Sequence, residues 1–190
     1  MSKIECNIVD SISGTNTLTL GSSNASTIAL GSGDVQSNFM YPMFSARMQT
    51  GQVISNNTHT LLVYSNELID TNSAYDSTAS NYKFTVPSGM GGKYFLYAQA
   101  LPDAASDANL FKCRIQLYKN GSVIRLQQTN FSNNYILNTS IQVTSIEELS
   151  AGDYIQVYIR GTDSSGSITV DGTNADLSLF CGYRIGTWAY

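Results

Sequence analysis

Apolar residues alternate with polar ones in six runs after residue 80, and this period of two constrains the fold more than any other feature of the sequence. Segments that contain Gly, Asn, Asp, Ser or Pro separate the runs, which are KFTVP, KYFLYAQA, RIQLYKNGSVIRL, SIQVTSI, DYIQVYI and ADLSLFCGYRI. A period of two places every second side chain on the same face of an extended strand. Since no window of a dozen residues keeps the helical period of 3.6, we expect an all-β protein.

The connections between these runs have the composition of turns. Asn120 and Gly121 in KNGS separate two alternating runs, and both residues tolerate the positive φ values of a type I′ hairpin turn. The glycine-rich GMGG at 89–92 leads into a strand and is interpreted as a turn. The best helical candidate, TSIEELSAG, is short enough to be one turn between two strands. Many short strands with frequent turns predict an antiparallel sandwich or jelly roll.

The composition suits one compact domain with a modest appendage. Of the 190 residues, 42% are apolar and 13% are charged, so the chain can bury a sizeable core. The net charge is −4 and the ten Lys and Arg residues are scattered along the sequence, so we expect no nucleic-acid partner. No apolar stretch approaches the roughly 18–20 residues that cross a bilayer, and no membrane insertion is expected.

The cysteines and the first residues bear on the cellular compartment. Met1–Asp10 lacks the continuous apolar segment of a signal peptide, so we expect the protein to be made in a cytoplasm. Cys6, Cys113 and Cys181 are too few and too far apart for a disulfide framework or a zinc cluster. We interpret them as buried or incidental thiols.

The segment TLTLGSSNASTIALGSG, residues 17–33, contains two similar units that each end in Leu-Gly-Ser. Leucine and isoleucine alternate with Thr and Ala, so each unit is predicted to be a short strand with one apolar face. Three chains around a common axis would cover these faces, and the alternative is an arm that packs on its own domain. We predict an amino-terminal arm at 1–38, for attachment and trimer lacing, and a head domain at 39–190.

Four motifs in the head resemble those of C1q and tumour-necrosis-factor-like domains. They are YDSTASNYKFTVPSGMGGKYFLYAQA, QLYKNGSVI, LSAGDYIQVYI and LFCGYRIG, in the order of that family. The resemblance covers Phe44 to Tyr190, about three quarters of the chain. It implies a ten-stranded antiparallel jelly roll that assembles as a homotrimer, with aromatic and aliphatic residues of the inner sheet around the threefold axis.

The amino-terminal residues differ from the secreted members of that family, which usually carry a signal peptide and a collagen-like stalk. Instead, MSKIECNIVDSISGTNTLTLGSSNASTIALGSG resembles the amino-terminal arms of structural proteins from tailed bacteriophages, particularly marine ones. This second resemblance implies a virion protein that folds in the host cytoplasm and leaves by lysis.

Residues typical of an active site are sparse. His59 is the only histidine, and we interpret it as a polar residue at the start of a strand. The sequence contains no G-x-S-x-G, H-E-x-x-H or P-loop motif, so we predict no catalytic residue, no cofactor and no enzymatic activity. Loop carboxylates leave open a calcium site, although such residues more often solvate turns and we assign no metal ligand; they are Asp103 with Asp107, and Asp163 with Asp171 and Asp176.

The aromatic residues indicate both a core and a partner surface. Tyr94, Phe95 and Phe180 are predicted to be enclosed in the domain core. Some of the tyrosines on alternating strand positions are expected at a subunit interface, by the resemblance to trimeric heads; the candidates are Tyr94, Tyr97, Tyr154 and Tyr158. Exposed Tyr, Asn and Ser on loops suit a host cell-surface glycan or protein as a further partner.

These observations favour a virion structural protein, a trimeric fibre, knob or head projection that binds other capsid or tail proteins through its arm. Two alternatives stay open at this point. One is a capsid decoration protein that braces the shell, and the other is a cellular C1q-like binding module.

Overall fold

The computed structural model describes residues 42–104, 109–131, 136–164, 167–173 and 177–186. The predicted arm at 1–38 and its boundary with the head lie outside these residues. Within them the chain forms fourteen strands and no helix: β1 (Met43–Arg47), β2 (Gln52–Ser55), β3 (Thr60–Leu61), β4 (Asn66–Asp70), β5 (Tyr75–Asp76), β6 (Lys83–Thr85), β7 (Gly92–Ala100), β8 (Pro102–Ala104), β9 (Leu110–Lys119), β10 (Ser122–Asn130), β11 (Ile141–Leu149), β12 (Tyr154–Asp163), β13 (Ser167–Val170) and β14 (Leu179–Gly186).

The strands form two large antiparallel sheets and one small one. The five-stranded sheet has the order β11-β7-β14-β1-β4. The six-stranded sheet follows the path β10-β9-β12-β6-β5, with β3 paired to β12, and a three-stranded sheet has the order β2-β13-β8. The prediction of an all-β jelly roll is confirmed, and each of the six alternating runs overlaps at least one of these strands.

Two of the predicted turns are present. Asn120 and Gly121 have φ values of 51° and 80° between the paired strands β9 and β10, as a type I′ hairpin requires. Gly89 has a φ of 74° in the turn before β7. The interpretation of TSIEELSAG as a turn is wrong for its first six residues, because Thr144–Leu149 continue β11 and pair with β7 along their whole length.

The core lies between the two large sheets and is rich in aromatic rings. Phe44 stacks on Phe84 with 4.5 Å between ring centroids, and Phe180 meets Phe44 edge-on at 4.7 Å. Tyr94 and Phe180 are fully buried, as predicted. The prediction that Phe95 is enclosed with them is wrong, because neighbouring residues of a strand point to opposite faces and Phe95 lies on the side away from the core.

Candidate association surface

The face of the five-stranded sheet that points away from the core carries a row of four apolar side chains. Met43 pairs with Tyr183, Tyr183 with Phe95, and Phe95 with Ile146, so the row crosses β1, β14, β7 and β11 at one level. Register partners lie on the same face of a sheet with their Cβ atoms about 4.5–5.5 Å apart. We call these four residues the apolar stripe.

The stripe is packed in its centre and open at one end. The rings of Phe95 and Tyr183 are 5.3 Å apart and tilted by 35°. Ile146 lies on an edge strand and 61% of it is exposed to solvent. Met43, Phe95 and Tyr183 are partly exposed. A contiguous apolar row that remains partly exposed is typical of a surface that binds a partner.

A second row runs beside the stripe and is more polar. Ser45 pairs with Cys181, Cys181 with Tyr97, and Tyr97 with Thr144. The Tyr97 hydroxyl donates to Gln142 Oε1 at 3.0 Å. Burial raises the pKa of the Tyr97 hydroxyl and of the Cys181 thiol above their ordinary values, so these two groups are neutral at physiological pH.

Both edges of the five-stranded sheet are exposed strands. Leu68 and Ile69 on β4 are about half exposed at one edge, and Ile146 is exposed at the other. Unpaired strand edges with exposed apolar residues associate readily with other chains. The surface therefore extends from edge to edge of the sheet.

A groove of about 440 Å³ separates the edge strands β10 and β11. Its lining is mostly polar, with Gln127 and Thr129 on one side and Ser140, Gln142 and Thr144 on the other. Arg125 at this groove pairs with Glu147 at 2.9 Å, so its charge is neutralised locally. The groove offers no group with the reactivity of a nucleophile or a metal ligand.

The residues considered for catalysis or metal binding are dispersed. His59 is exposed and directly precedes β3, which confirms its interpretation as a polar residue at a strand start. Asp103 accepts from Asn138 Nδ2 at 2.9 Å, and Asp171 accepts from the backbone N–H of Thr173 at 2.7 Å. In the part of the chain that the structure describes, no three His, Cys, Asp or Glu side chains gather as a metal site requires. Asp107 and Asp176 lie outside that part.

Cys113 is fully buried with a free thiol, and burial raises its pKa to about 12. A thiol with so high a pKa is a poor nucleophile at neutral pH. The interpretation of Cys113 as a buried thiol is confirmed, and Cys181 is also free and half-buried. Cys6 lies outside the described residues.

The four candidate tyrosines divide between three environments. Tyr94 points into the core, where burial raises its pKa to about 12 and its hydroxyl donates to Met90 O at 2.5 Å. Tyr97 lies on the outward face of the five-stranded sheet. Tyr154 and Tyr158 lie on the outward face of the six-stranded sheet. Only Tyr97 is therefore placed beside the stripe.

Sequence reasoning missed Met43, Tyr183 and Ile146 as surface residues. The alternation in KYFLYAQA places Tyr94 and Phe95 on opposite faces of the strand, and this pattern is enough to predict that only one of them lies in the core. The four residues of the stripe become neighbours through strand registers that pair residues far apart in the chain. No local sequence pattern predicts these registers.

Comparison with known proteins identifies the fold. No protein-family model matches the sequence, and no curated protein sequence does. Among solved structures, the globular domain of zebrafish complement 1qA protein superposes with a TM-score of 0.52 at 14% identity, covering 77% of this chain and 99% of that one. Eiger TNF from S. frugiperda gives 0.55 at 13% identity, covering 78% of this chain and 96% of that one. Murine APRIL gives 0.52 at 14% identity, with 75% and 98% covered.

The head is thus a C1q/TNF-like jelly roll. At these identities the likeness concerns the fold, because one fold hosts many functions. The small sheet formed by β2, β13 and β8 accompanies the two large sheets. None of the described residues belongs to a helix with the length and hydropathy needed to cross a membrane.

Proposed function

We propose that this chain is a homotrimeric structural protein of a phage virion. Its arm anchors a surface appendage, such as a fibre, knob or head projection, to other capsid or tail proteins, and its head contacts the host surface. The proposal assigns no catalysis, cofactor or metal to the chain. The observation that carries the association is the apolar stripe, on a face that the described residues leave partly exposed.

A trimer covers this stripe well for geometric reasons. A threefold ring joins two different patches of neighbouring copies, so one copy presents its face and the next its edge. The stripe extends from the centre of the sheet to Ile146 on its edge strand, which provides a patch of each kind. Side chains brought together around the axis lose contact with water, and burial of apolar area stabilises the assembly by about 25 cal/mol per Å².

The resemblance of the head to C1q and tumour-necrosis-factor-like domains supports the same assembly, because that resemblance implies a trimer with side chains of one sheet packed around the threefold axis. The solved structures with this fold include a complement protein, Eiger TNF and murine APRIL. A binding role for the head is consistent with its likeness to these three proteins.

The virion role is supported by the amino-terminal sequence, which resembles the arms of tailed-phage structural proteins. Its apolar alternation in TLTL and TIAL suits strands that need partners from other chains. The arm then provides anchoring, and the head provides the outer surface.

The test compares the full chain with a chain that begins at Phe39. Both are expressed during assembly of the phage particles, and purified particles are probed with an antibody against the head. We expect the full chain in the particles and the truncated chain, folded by circular dichroism, to be missing from them. A folded truncated chain that still enters particles would move the anchoring surface to the head, and absence of the full chain from particles would overturn the virion role.

A further inference from the structure

The outward face of the six-stranded sheet carries a group of positively charged side chains. This face and the association surface lie on opposite sides of the core. Four of its side chains are cations that come from three strands: Lys83 on β6, Lys112 and Arg114 on β9, and Arg160 on β12. These residues are up to 77 positions apart in the chain, and the strand registers place them on one face. The scattered distribution seen in the sequence is therefore not the distribution on the surface.

Arg114 and Arg160 are directly opposite each other on the two central strands β9 and β12. Side chains in this relation have Cβ atoms about 4.5–5.5 Å apart, and like charges there destabilise the sheet. We call these two residues the arginine pair. An anion that contacts these guanidinium groups relieves the repulsion.

Each guanidinium of the arginine pair is held by an amide oxygen. Arg114 donates through Nε and Nη2 to Gln128 Oε1, at 3.1 and 2.6 Å. Arg160 donates through Nε and Nη2 to Asn57 Oδ1, at 2.9 and 2.5 Å. Asn57 has a φ of 59°, in the left-handed region that Asn tolerates better than most residues. These contacts direct the Arg114 guanidinium toward β10 and the Arg160 guanidinium toward the loop before β3, so the two groups point apart. The amide oxygens neutralise neither charge.

Carboxylates are sparse on this face. Asp76 pairs with Lys83 at the far side of the sheet and is also held by Thr78 and Asn81. The ion pairs Lys119–Asp153 and Arg125–Glu147 involve none of the four cations. Among the described residues, no carboxylate is paired with the arginine pair, so the local charge is positive although the whole chain carries −4.

The next level of the same face provides aromatic and amide groups. Tyr118 and Tyr158 have ring centroids 4.2 Å apart. Gln116 pairs with Tyr158 and with Leu126, is only 2% exposed, and its Oε1 has no hydrogen-bond partner among the described residues. Tyrosine rings on an outward face suit the apolar faces of sugar rings.

We propose that this face binds an acidic polysaccharide. Acidic groups along the polysaccharide contact the guanidinium groups of Arg114 and Arg160 and the ammonium group of Lys112 two positions along β9. A sugar ring lies on the Tyr118–Tyr158 pair. Residues two apart on a strand are about 6.8 Å apart, so an extended chain with repeated acidic groups fits better than a single small anion. The inference rests on the proposed function for its biological role, since it names the host-surface ligand of the head.

The experiment measures binding of the full chain to oligogalacturonate, which carries carboxylates, and to heparin oligosaccharides, which carry sulfates, with neutral dextran as a third probe. Isothermal titration is done at low and high salt. We expect binding to both acidic probes, none to dextran, and weaker binding at high salt because the contacts are ionic. Arg114→Gln and Arg160→Gln should each weaken binding about tenfold or more, since each removes a charge-assisted contact.

Lys119→Gln is the matched control, because it removes one positive charge from the same strand at a residue already paired with Asp153. It should bind as the parent does. The arginine variants should change stability by no more than about 0.5–1 kcal/mol, because both side chains lie on the surface and each loses only exposed hydrogen bonds. Unchanged melting temperatures separate lost binding from lost folding. Equal binding of dextran, unchanged binding by both arginine variants, or tighter binding of a DNA duplex than of either polysaccharide would overturn the proposal.

The same samples are examined by analytical ultracentrifugation. A trimer that binds no acidic polysaccharide would contradict this inference and leave the proposed assembly intact. A monomer that binds would support the inference and contradict the trimer.

Discussion

The side chain of Asn56 forms two hydrogen bonds with the backbone of Asp163, which lies 107 positions later in the chain. Its Nδ2 donates to Asp163 O at 2.7 Å, and the Asp163 N–H donates to its Oδ1 at 3.1 Å. The amide thus satisfies both backbone groups where β12 ends, at a residue that is only 3% exposed.

Asn56→Ala should lower the free energy of unfolding by about 1–3 kcal/mol, because it leaves two buried backbone groups without a partner. Urea denaturation measures the change. Asn130→Ala, at an exposed residue of β10, is the control and should change stability by less than about 0.5 kcal/mol. Equal effects of the two substitutions would show that the Asn56 contacts contribute little.

Phe180→Ala should cost about 3–5 kcal/mol, or prevent soluble expression, because it opens a cavity in the centre of the aromatic cluster. Phe180 is fully buried and lies within 4.7 to 6.1 Å of the rings of Phe44, Tyr64 and Tyr75. The thermal midpoint of the variant is the measurement. A midpoint within a degree or two of the parent would be incompatible with this core.

Gly121→Ala should destabilise the protein by about 1–2 kcal/mol, because its φ of 80° is costly for a residue with a Cβ atom. The nearest atom to an added Cβ is the Tyr154 hydroxyl at 3.7 Å, so the cost comes from the backbone and not from a clash. Gly186→Ala is the control, since an added Cβ there meets nothing within 4 Å. Comparable losses in the two variants would argue against a strained turn.

Stability should fall as the pH rises above 9, in part because of Cys113. Burial raises the pKa of this thiol from its ordinary value of 9.0 to about 12, so between these values the unfolded chain loses a proton that the folded chain keeps. The contribution is complete below pH 9, and about 1.4 kcal/mol of it is lost by pH 10. Cys113→Ala should show a smaller fall in unfolding free energy between pH 7 and 10 than the parent. Parallel falls would mean that Cys113 does not titrate in this way.

The long strands of the head could be predicted from sequence, because their alternation is local. The hairpin at Asn120 and Gly121 follows from the turn chemistry of two residues, and Tyr94 and Phe180 follow from which face of a strand is apolar. The prediction for Phe95 is wrong because Phe95 and its neighbour Tyr94 are both apolar. The sequence therefore does not show which of the two side chains points into the core and which lies on the outward face.

The small sheet and the two surfaces could not be predicted. Strands β2, β8 and β13 have three or four residues each, too few to show a period, and β2 pairs with β13 across more than a hundred positions. The apolar stripe and the arginine pair depend on the same kind of distant register. Their residues are unremarkable in the sequence and become neighbours only when the sheets form.

The stripe also defines a pair of matched variants for the proposed assembly. Ile146→Asp places a carboxylate at the exposed end of the stripe, and burying that charge in an interface is unfavourable. Val53→Asp makes the same kind of change on β2, in the small sheet, where the residue is 70% exposed. We expect Ile146→Asp to dissociate the assembly and Val53→Asp to leave it intact.

The most direct measurement of the central claim is the mass of the full chain in solution, by light scattering coupled to size exclusion at micromolar concentration. The predicted result is three times the 20.6 kDa of one chain for the parent and for Val53→Asp, and a single-chain mass for folded Ile146→Asp. A parent protein with the mass of one chain would contradict the account.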